Sequence, residues 1–122
     1  MITWHVAADE LVQAQLDAIA RRLAPVVGLE AAGRLYDRLL AAMARLSFMP
    51  TGYANTSDFL PDNYRRKLVG KGKWQYIIYY WLDEQAHEVI VYEVRYGYRR
   101  PLQARTHIQR ANRARRNPQP LA

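Results

Sequence analysis

Residues 64–100 carry a period-two pattern of aromatic and β-branched side chains, which constrains the fold more than any other stretch. Apolar side chains recur at every second position in residues 74–82, and a second apolar run covers residues 90–94. Alternation of this kind predicts β-strands. The segments 70–73 and 83–86 separate the runs with residues typical of turns. The stretch therefore predicts a meander of three antiparallel strands.

Two helices are predicted upstream of this meander, after a short first strand at residues 2–6. Apolar residues three and four apart place the helices at about residues 8–24 and about residues 29–48. Pro25 and Gly28 are expected to break the chain between them. The prediction is an α+β fold of order β-α-α-β-β-β, in which a helical hairpin packs on a small antiparallel sheet.

The end of the chain is predicted to lie outside this domain. The domain is assigned to residues 1–100, and residues 101–122 form a basic C-terminal extension. Within the extension, residues 102–116 contain five arginines and no acidic residue. Their apolar stripe is weak, so a helix and a mobile arm remain alternative predictions.

Charge is distributed unevenly along the chain, whose formal net charge is +7. Residues 1–62 hold five basic and seven acidic side chains, a net −2, whereas residues 63–122 hold thirteen and four, a net +9. This asymmetry favours an anionic partner, either nucleic acid or an acidic protein. No apolar run is long enough to span a bilayer and no signal peptide opens the chain, so we expect a cytoplasmic protein without a membrane partner.

Motifs for cofactor or metal chemistry are missing from the sequence. The glycines at residues 70–73 lack the spacing of a phosphate-binding loop and lie between strands. The histidines at positions 5, 87 and 107 show no ligand spacing, and there is no cysteine. We therefore predict neither a cofactor nor a metal site.

A cationic and aromatic surface remains as the candidate site. Arginine and lysine can hold phosphates or stabilise a pentacoordinate phosphorane without a metal, and tyrosine can stack on bases. The alternative is that charged side chains at a sheet edge prevent aggregation. The candidate target- or phosphate-binding residues are Arg65, Arg66, Lys67, Lys71, Lys73, Arg95, Tyr96, Tyr98, Arg99 and Arg100.

One face of the predicted central strand has no partner in this fold. If Tyr76, Ile78 and their period-two neighbours face the helices, the opposite face presents the apolar residues 77, 79 and 81. An exposed apolar face usually marks an interface. Either the basic extension folds over this face, or another protein covers it.

Four further features follow one another along the predicted domain. An aromatic first strand leads directly into the hairpin, and the second helix closes on LSFMPTG at residues 46–52. RKL at residues 66–68 precedes the strand YIIYY at residues 76–80. VRYGYR at residues 94–99 is similar to a closing Val-x-His-Gly-x-Arg phrase, with Tyr96 in place of histidine. In this order they resemble the RelE/ParE superfamily of toxins from type II toxin–antitoxin systems.

The resemblance implies a RelE/ParE-like fold and a toxin that inhibits growth when free, in systems associated with plasmid stabilisation. A cognate acidic antitoxin is expected to bind across the hairpin and sheet, giving a hetero-oligomer. The apolar face at Ile77, Tyr79 and Trp81 is the expected antitoxin groove.

Two branches of the superfamily differ in mechanism. A RelE-like toxin is a metal-independent endoribonuclease that cuts mRNA in the ribosome, and Arg65, Lys67 and Arg99 are the catalytic candidates under that interpretation. The arginine of that branch just inside the central strand is replaced here by Ile77, or by Tyr76 if the register is shifted by one. No tyrosine follows Tyr98, so the C-terminal general acid of that branch is absent unless His107 replaces it. A ParE-like toxin inhibits DNA gyrase and needs no catalytic set, and its phrases fit this chain more closely. We therefore favour the ParE-like branch, with a non-toxic nucleic-acid-binding module as a third possibility.

Overall fold

The computed structural model describes residues 2–121, which form three α-helices and one five-stranded sheet. The strands are His5–Ala8 (β1), Tyr64–Val69 (β2), Tyr76–Asp83 (β3), Glu88–Tyr96 (β4) and Gln119–Pro120 (β5). The helices are Glu10–Val27 (α1), Leu29–Ala44 (α2) and Ala104–Arg116 (α3). Short 3₁₀ turns lie at Arg45–Ser47, Pro50–Gly52 and Gly72–Trp74. The predicted α+β class and the order β-α-α-β-β-β are confirmed, with α3 and β5 following.

The strands are arranged in the order β2–β3–β4–β1–β5. β2, β3 and β4 form the predicted antiparallel meander. β1 runs parallel to β4, with His5 opposite Glu88 and Ala8 opposite Val91, so the sheet is mostly rather than wholly antiparallel. β5 pairs antiparallel with β1 and closes that edge of the sheet.

The α1–α2 hairpin covers one face of the sheet and forms the larger core. Its buried residues come from both helices and from alternate positions of β3 and β4, as period-two burial requires. Tyr80 is fully buried there, and its hydroxyl donates to the carbonyl oxygen of Pro50 at 2.6 Å. Desolvation by burial raises the pKa of Tyr80, so this group stays protonated and remains a donor.

Several predicted boundaries are wrong. β1 spans His5–Ala8 rather than residues 2–6, and α2 ends at Ala44 rather than at about residue 48. Pro25 does not end the first helix, because it removes only one N–H near the C-terminus and α1 continues to Val27. Gly28 ends it, with φ of 92° and its N–H bonded to the Ala24 carbonyl oxygen at 2.9 Å. Trp74 belongs to a 3₁₀ turn rather than to the central strand, and its side chain is partly exposed.

α3 packs on the face of the sheet opposite the hairpin. Ala111 and Ala114 of α3 are fully buried against the aromatic residues of β3 and β4. Small side chains allow close approach of a helix to an aromatic surface. The extension is therefore a packed helix in this structure, the first of the two alternatives.

Candidate functional site

The second face of the central strand lies under α3. Tyr79 is buried in the smaller core beside Tyr92, and Ile77 and Trp81 are half-buried against it. The guanidinium carbon of Arg115 lies 3.7 Å from the ring centroid of Trp81, a cation–π contact. α3 thus covers Tyr79 on the face predicted as an antitoxin groove, whereas Ile77 lines an open cavity beside it.

A buried carboxylate joins α3 to the rest of the molecule. Glu93 Oε1 accepts hydrogen bonds from Arg110 Nη1 of α3 at 2.5 Å and from Gln15 Nε2 of α1 at 2.7 Å. Its other oxygen lies 3.5 Å from Arg95 Nη1. Gln15 Oε1 also accepts from the Val94 N–H at 2.8 Å, which satisfies a backbone donor beyond the end of the β1–β4 pairing. We call these four side chains, Glu93, Arg110, Gln15 and Arg95, the Glu93 cluster.

Other arginines of α3 also contact the body of the protein. Arg113 lies 3.8 Å from an Asp9 carboxylate oxygen and 3.3 Å from one of Glu10. Together with Arg110 and Arg115, three of the five α3 arginines are engaged within the chain. Part of the positive charge of residues 63–122 therefore holds the helix in place.

His107, a residue of α3, is buried between that helix and the sheet. Its Nδ1 lies 2.8 Å from the Tyr92 hydroxyl, and its ring meets that of Tyr79 edge-on at 4.8 Å. Burial lowers the pKa of His107 to about 4, against the raising effect of Glu93. At neutral pH His107 therefore carries no charge.

A cavity of about 430 Å³ opens beside the first turn of α3. We call it the arginine cavity, because Arg66, Arg95 and Arg99 line it. Arg66 pairs with Tyr79 across β2 and β3, and Arg95 pairs with Ile77 across β3 and β4, so the sheet register brings these positions to one face. Three arginines that are far apart in the sequence thus converge.

Arg65 does not lie with them. Its guanidinium donates to three carbonyl oxygens of the preceding loop, those of Asp62 at 2.5 Å, Tyr53 at 2.9 Å and Thr51 at 3.1 Å. Arg65 therefore orders this loop.

Lys67 lies on the same side of β2 as Arg65, facing the hairpin. It pairs with Ile78, a core residue, and its Nζ lies 4.9 Å from the Tyr53 ring centroid. Arg99 lines the cavity on the opposite face. The three catalytic candidates of the RelE-like interpretation, Arg65, Lys67 and Arg99, are therefore not brought together.

The remaining predicted site residues are near the two ends of the meander. Lys71 and Lys73 are exposed in the β2–β3 connection, and Lys73 Nζ lies 5.3 Å from the Trp74 ring centroid. Tyr98 and Arg100 are exposed after β4. Tyr96 lines the cavity and packs against Tyr98 edge-on.

Sequence reasoning missed the Glu93 cluster. A signal was present, because Glu93 is the one charged residue in the apolar run VIVYEV of residues 89–94. A carboxylate in a strand buried on both faces needs a paired cation. Its partner Arg110 lies in a segment that sequence alone left as helix or mobile arm.

Neither a membrane-spanning helix nor a metal-binding cluster is present in the part of the chain that the structure describes. Within residues 2–121, no helix is long and apolar enough to cross a membrane. In the same part of the chain, no three histidine, cysteine, aspartate or glutamate side chains are grouped so that they could hold a metal ion.

A family comparison covers most of this chain. The family model for the ParE toxin of the type II toxin-antitoxin system, parDE, matches residues 6–101. This chain belongs to the ParE toxin family. The match ends before α3, so α3 and β5 of this ParE-family toxin lie outside the part that defines the family.

Two solved structures share the fold of this ParE-family toxin. One, from the chromosomal ParDE TA system of P. aeruginosa, is 14% identical with a TM-score of 0.63, and the match covers 79% of this chain and 98% of that one. The other is a double arginine-to-alanine variant of the E. coli toxin RelE in the free state. It is also 14% identical, with a TM-score of 0.57 and coverage of 90% and 95%. No curated protein matches the chain.

Proposed function

We propose that this ParE-family toxin inhibits growth by binding DNA gyrase rather than by cutting mRNA. The supporting observation is that Arg65 and Lys67 lie on the hairpin face of β2, whereas Arg99 lines the cavity on the other face. Cleavage of RNA without a metal needs its catalytic side chains gathered around one phosphate. A toxin that acts by binding a protein has no such requirement. Under this proposal the toxin acts in the cytoplasm.

The state of His107 supports the same proposal. His107 is the one histidine near the arginine cavity, and its Nδ1 is occupied by the Tyr92 hydroxyl. Because burial lowers the pKa of His107 to about 4, the side chain is neutral at pH 7 and is not the imidazolium that would protonate a leaving group. A histidine substituting for a C-terminal general acid therefore lacks support.

The alternative is a RelE-like endoribonuclease, and one observation favours it. The arginine cavity places three guanidinium groups on a fold that is also that of RelE. Guanidinium groups stabilise a phosphorane electrostatically even when no acid or base is near.

A separate nucleic-acid-binding function of the tail has less support, because Arg110, Arg113 and Arg115 contact other side chains of the chain.

The proposal includes neutralisation by an acidic cognate antitoxin in a hetero-oligomer. An antitoxin that binds Ile77, Tyr79 and Trp81 must first displace α3, which buries Tyr79. Hydrogen exchange of the α3 amides tests this. Faster exchange on antitoxin binding is expected if that face is used, and unchanged or slower exchange would place the antitoxin elsewhere.

A supercoiling assay with purified gyrase tests the proposed target. The wild-type toxin is expected to inhibit supercoiling or to trap cleaved plasmid DNA, and Arg99→Ala is expected to weaken the effect. Arg45→Gln removes the same charge from an exposed position away from the cavity and serves as the matched control.

Primer extension on mRNA from a translating extract separates the two mechanisms. Intact transcripts are expected at toxin concentrations that inhibit gyrase. Cleavage at translated codons, with unaffected supercoiling, would contradict the gyrase proposal and support the endoribonuclease.

A further inference from the structure

We propose that the arginine cavity is a binding site for a phosphate monoester, specifically the phosphate group of a nucleotide. The inference concerns a ligand of the toxin itself and does not depend on gyrase being the target. Its starting point is the convergence of Arg66, Arg95 and Arg99 on one cavity of about 430 Å³.

The guanidinium group of Arg95 makes two contacts within the chain and has one N–H without a hydrogen-bond partner among the described residues. Its Nη1 lies 3.5 Å from Glu93 Oε2, and its Nη2 donates to the Arg100 carbonyl oxygen at 2.8 Å. Its Nε is buried and has no hydrogen-bond partner among the described residues. A buried guanidinium N–H without an acceptor is unfavourable, and an anion in the cavity would supply the acceptor. An anion reaches this N–H only after a small rotation of the Arg95 side chain, while the contacts to Glu93 and the Arg100 carbonyl oxygen keep the guanidinium group beside the cavity.

The charge around the cavity favours a dianion over a monoanion. Three arginines line it, and no aspartate or glutamate does. Glu93 contacts Arg95 from the side of α3, which leaves the guanidinium groups of Arg66 and Arg99 without an ion pair in the described chain. A phosphate monoester carries nearly two charges at neutral pH and presents three acceptor oxygens, which suits guanidinium groups better than a carboxylate does.

The start of α3 adds to this positive potential. Pro101 and Leu102 line the cavity, and α3 begins at Ala104 with no acidic residue in its first turn. No side chain caps that end, since the Gln103 side chain makes no capping bond. The helix dipole therefore contributes partial positive charge on the side where the arginines lie.

The apolar part of the lining determines what the phosphate is attached to. Ile77 and Leu68 line the cavity beside the arginines. A cavity of this size exceeds the needs of inorganic phosphate, and an apolar wall next to guanidinium planes suits a base. Two sources share this chemistry, a free nucleotide and the phosphorylated end of a nucleic-acid strand.

Titration calorimetry on the full chain tests the proposal, with adenosine 5′-monophosphate as the first probe. One nucleotide is expected to bind per chain, with adenosine at least 10-fold weaker. Arg66→Gln and Arg99→Gln are each expected to weaken binding roughly 10-fold, the effect of losing one charge-assisted hydrogen bond. Arg45→Gln, the matched change outside the cavity, is expected to stay within about two-fold, as screened surface charges do.

Further probes identify the source of the phosphate and the chemical class. A 5′-phosphorylated oligonucleotide that binds more tightly than the mononucleotide assigns the site to strand ends, and the reverse order assigns it to free nucleotides. Equal binding of succinate would overturn the phosphate assignment.

The proposal is also overturned if the nucleotide does not bind the wild type or if Arg45→Gln weakens binding as much as Arg99→Gln. Thermal melting of each variant confirms folding, and Arg99 is exposed enough that its substitution leaves the core intact. Gyrase inhibition is measured separately, so either proposal can fail without the other.

Discussion

The carboxylate of Glu93, in the middle of the sheet, accepts a hydrogen bond of 2.5 Å from Arg110 on the C-terminal helix. Glu93 is 2% exposed, and its side chain also contacts Gln15 of α1 and Arg95 of β4. One buried charge therefore connects three elements that are distant in sequence. α3 lies outside the family match, yet it is attached through this residue.

Glu93→Gln is expected to loosen α3. The amide cannot compensate the Arg110 and Arg95 charges, and we expect the free energy of unfolding to fall by about 2 kcal/mol, less than for a fully buried pair because Arg110 is partly exposed. Urea unfolding measures the loss. Glu84→Gln, in the exposed β3–β4 turn, is the control and should be nearly neutral. Equal urea midpoints for the two variants would show that Glu93 does not hold the helix.

Arg65→Ala is expected to release the loop between the second helix and β2. It removes three hydrogen bonds to loop carbonyls at partly exposed positions, worth about 2 kcal/mol together. Limited proteolysis should cut this loop faster in the variant. Arg65→Lys should not restore protection, because a lysine lacks the planar fork that reaches several carbonyls. Arg66→Ala, the neighbouring position on the other face, should leave the cleavage rate unchanged.

Two glycine-to-alanine substitutions are expected to change stability in opposite directions. Gly70 has φ of 85°, and an added Cβ would lie 2.3 Å from the Trp74 carbonyl oxygen, so Gly70→Ala should cost at least about 2 kcal/mol. Gly33 lies within α2 with open space around it, and Gly33→Ala should add about 0.5–1 kcal/mol. Thermal unfolding of both variants checks the signs, and a stable Gly70→Ala variant would contradict the turn geometry.

The buried imidazole of His107 predicts loss of stability in mild acid. Its folded pKa is about 4, below the unfolded value of 6.5, so above pH 6.5 neither state binds the proton and the group has no effect. Between pH 6.5 and 4 the unfolded state binds it preferentially, and stability should fall by up to roughly 3 kcal/mol. His107→Gln should flatten this part of the pH profile in denaturant titrations. An unchanged slope in the variant would show that other groups cause it.

The meander was predictable because its signal is local. Alternating aromatic and β-branched residues define the strands without reference to the rest of the chain. The exact start of β3 was not, since Gly70 and Gly72 adopt positive φ and lengthen the connection, which leaves Trp74 outside the strand. Positive φ at a glycine is permitted by sequence but not required by it.

The order of α3 depends on a tertiary surface. Its buried stripe consists of His107, Ala111 and Ala114, too small and too polar for a strong hydrophobic period. Those side chains fit because Tyr79 and Tyr92 supply the bulk from the sheet. No window of sequence contains both halves of that contact, so periodicity could not decide between a helix and a mobile arm.

The candidate site was predictable in composition but not in arrangement. Sequence placed Arg65 and Lys67 on one face, and they share it. Their pairing with Tyr80 and Ile78 places both residues on the hairpin face. The spacing of residues along β2 does not reveal this register. Arg99 lines the cavity on the opposite face, so the catalytic set of the RelE-like interpretation is divided between the two faces.

The parallel pairing of β1 with β4 has a consequence for synthesis on the ribosome. His5–Ala8 can hydrogen-bond to residues 88–91 only after most of the chain has been made. Non-local strand pairing of this kind is slow and comes late in folding. The nascent chain therefore cannot complete its sheet early, which leaves an interval during translation before the folded protein exists.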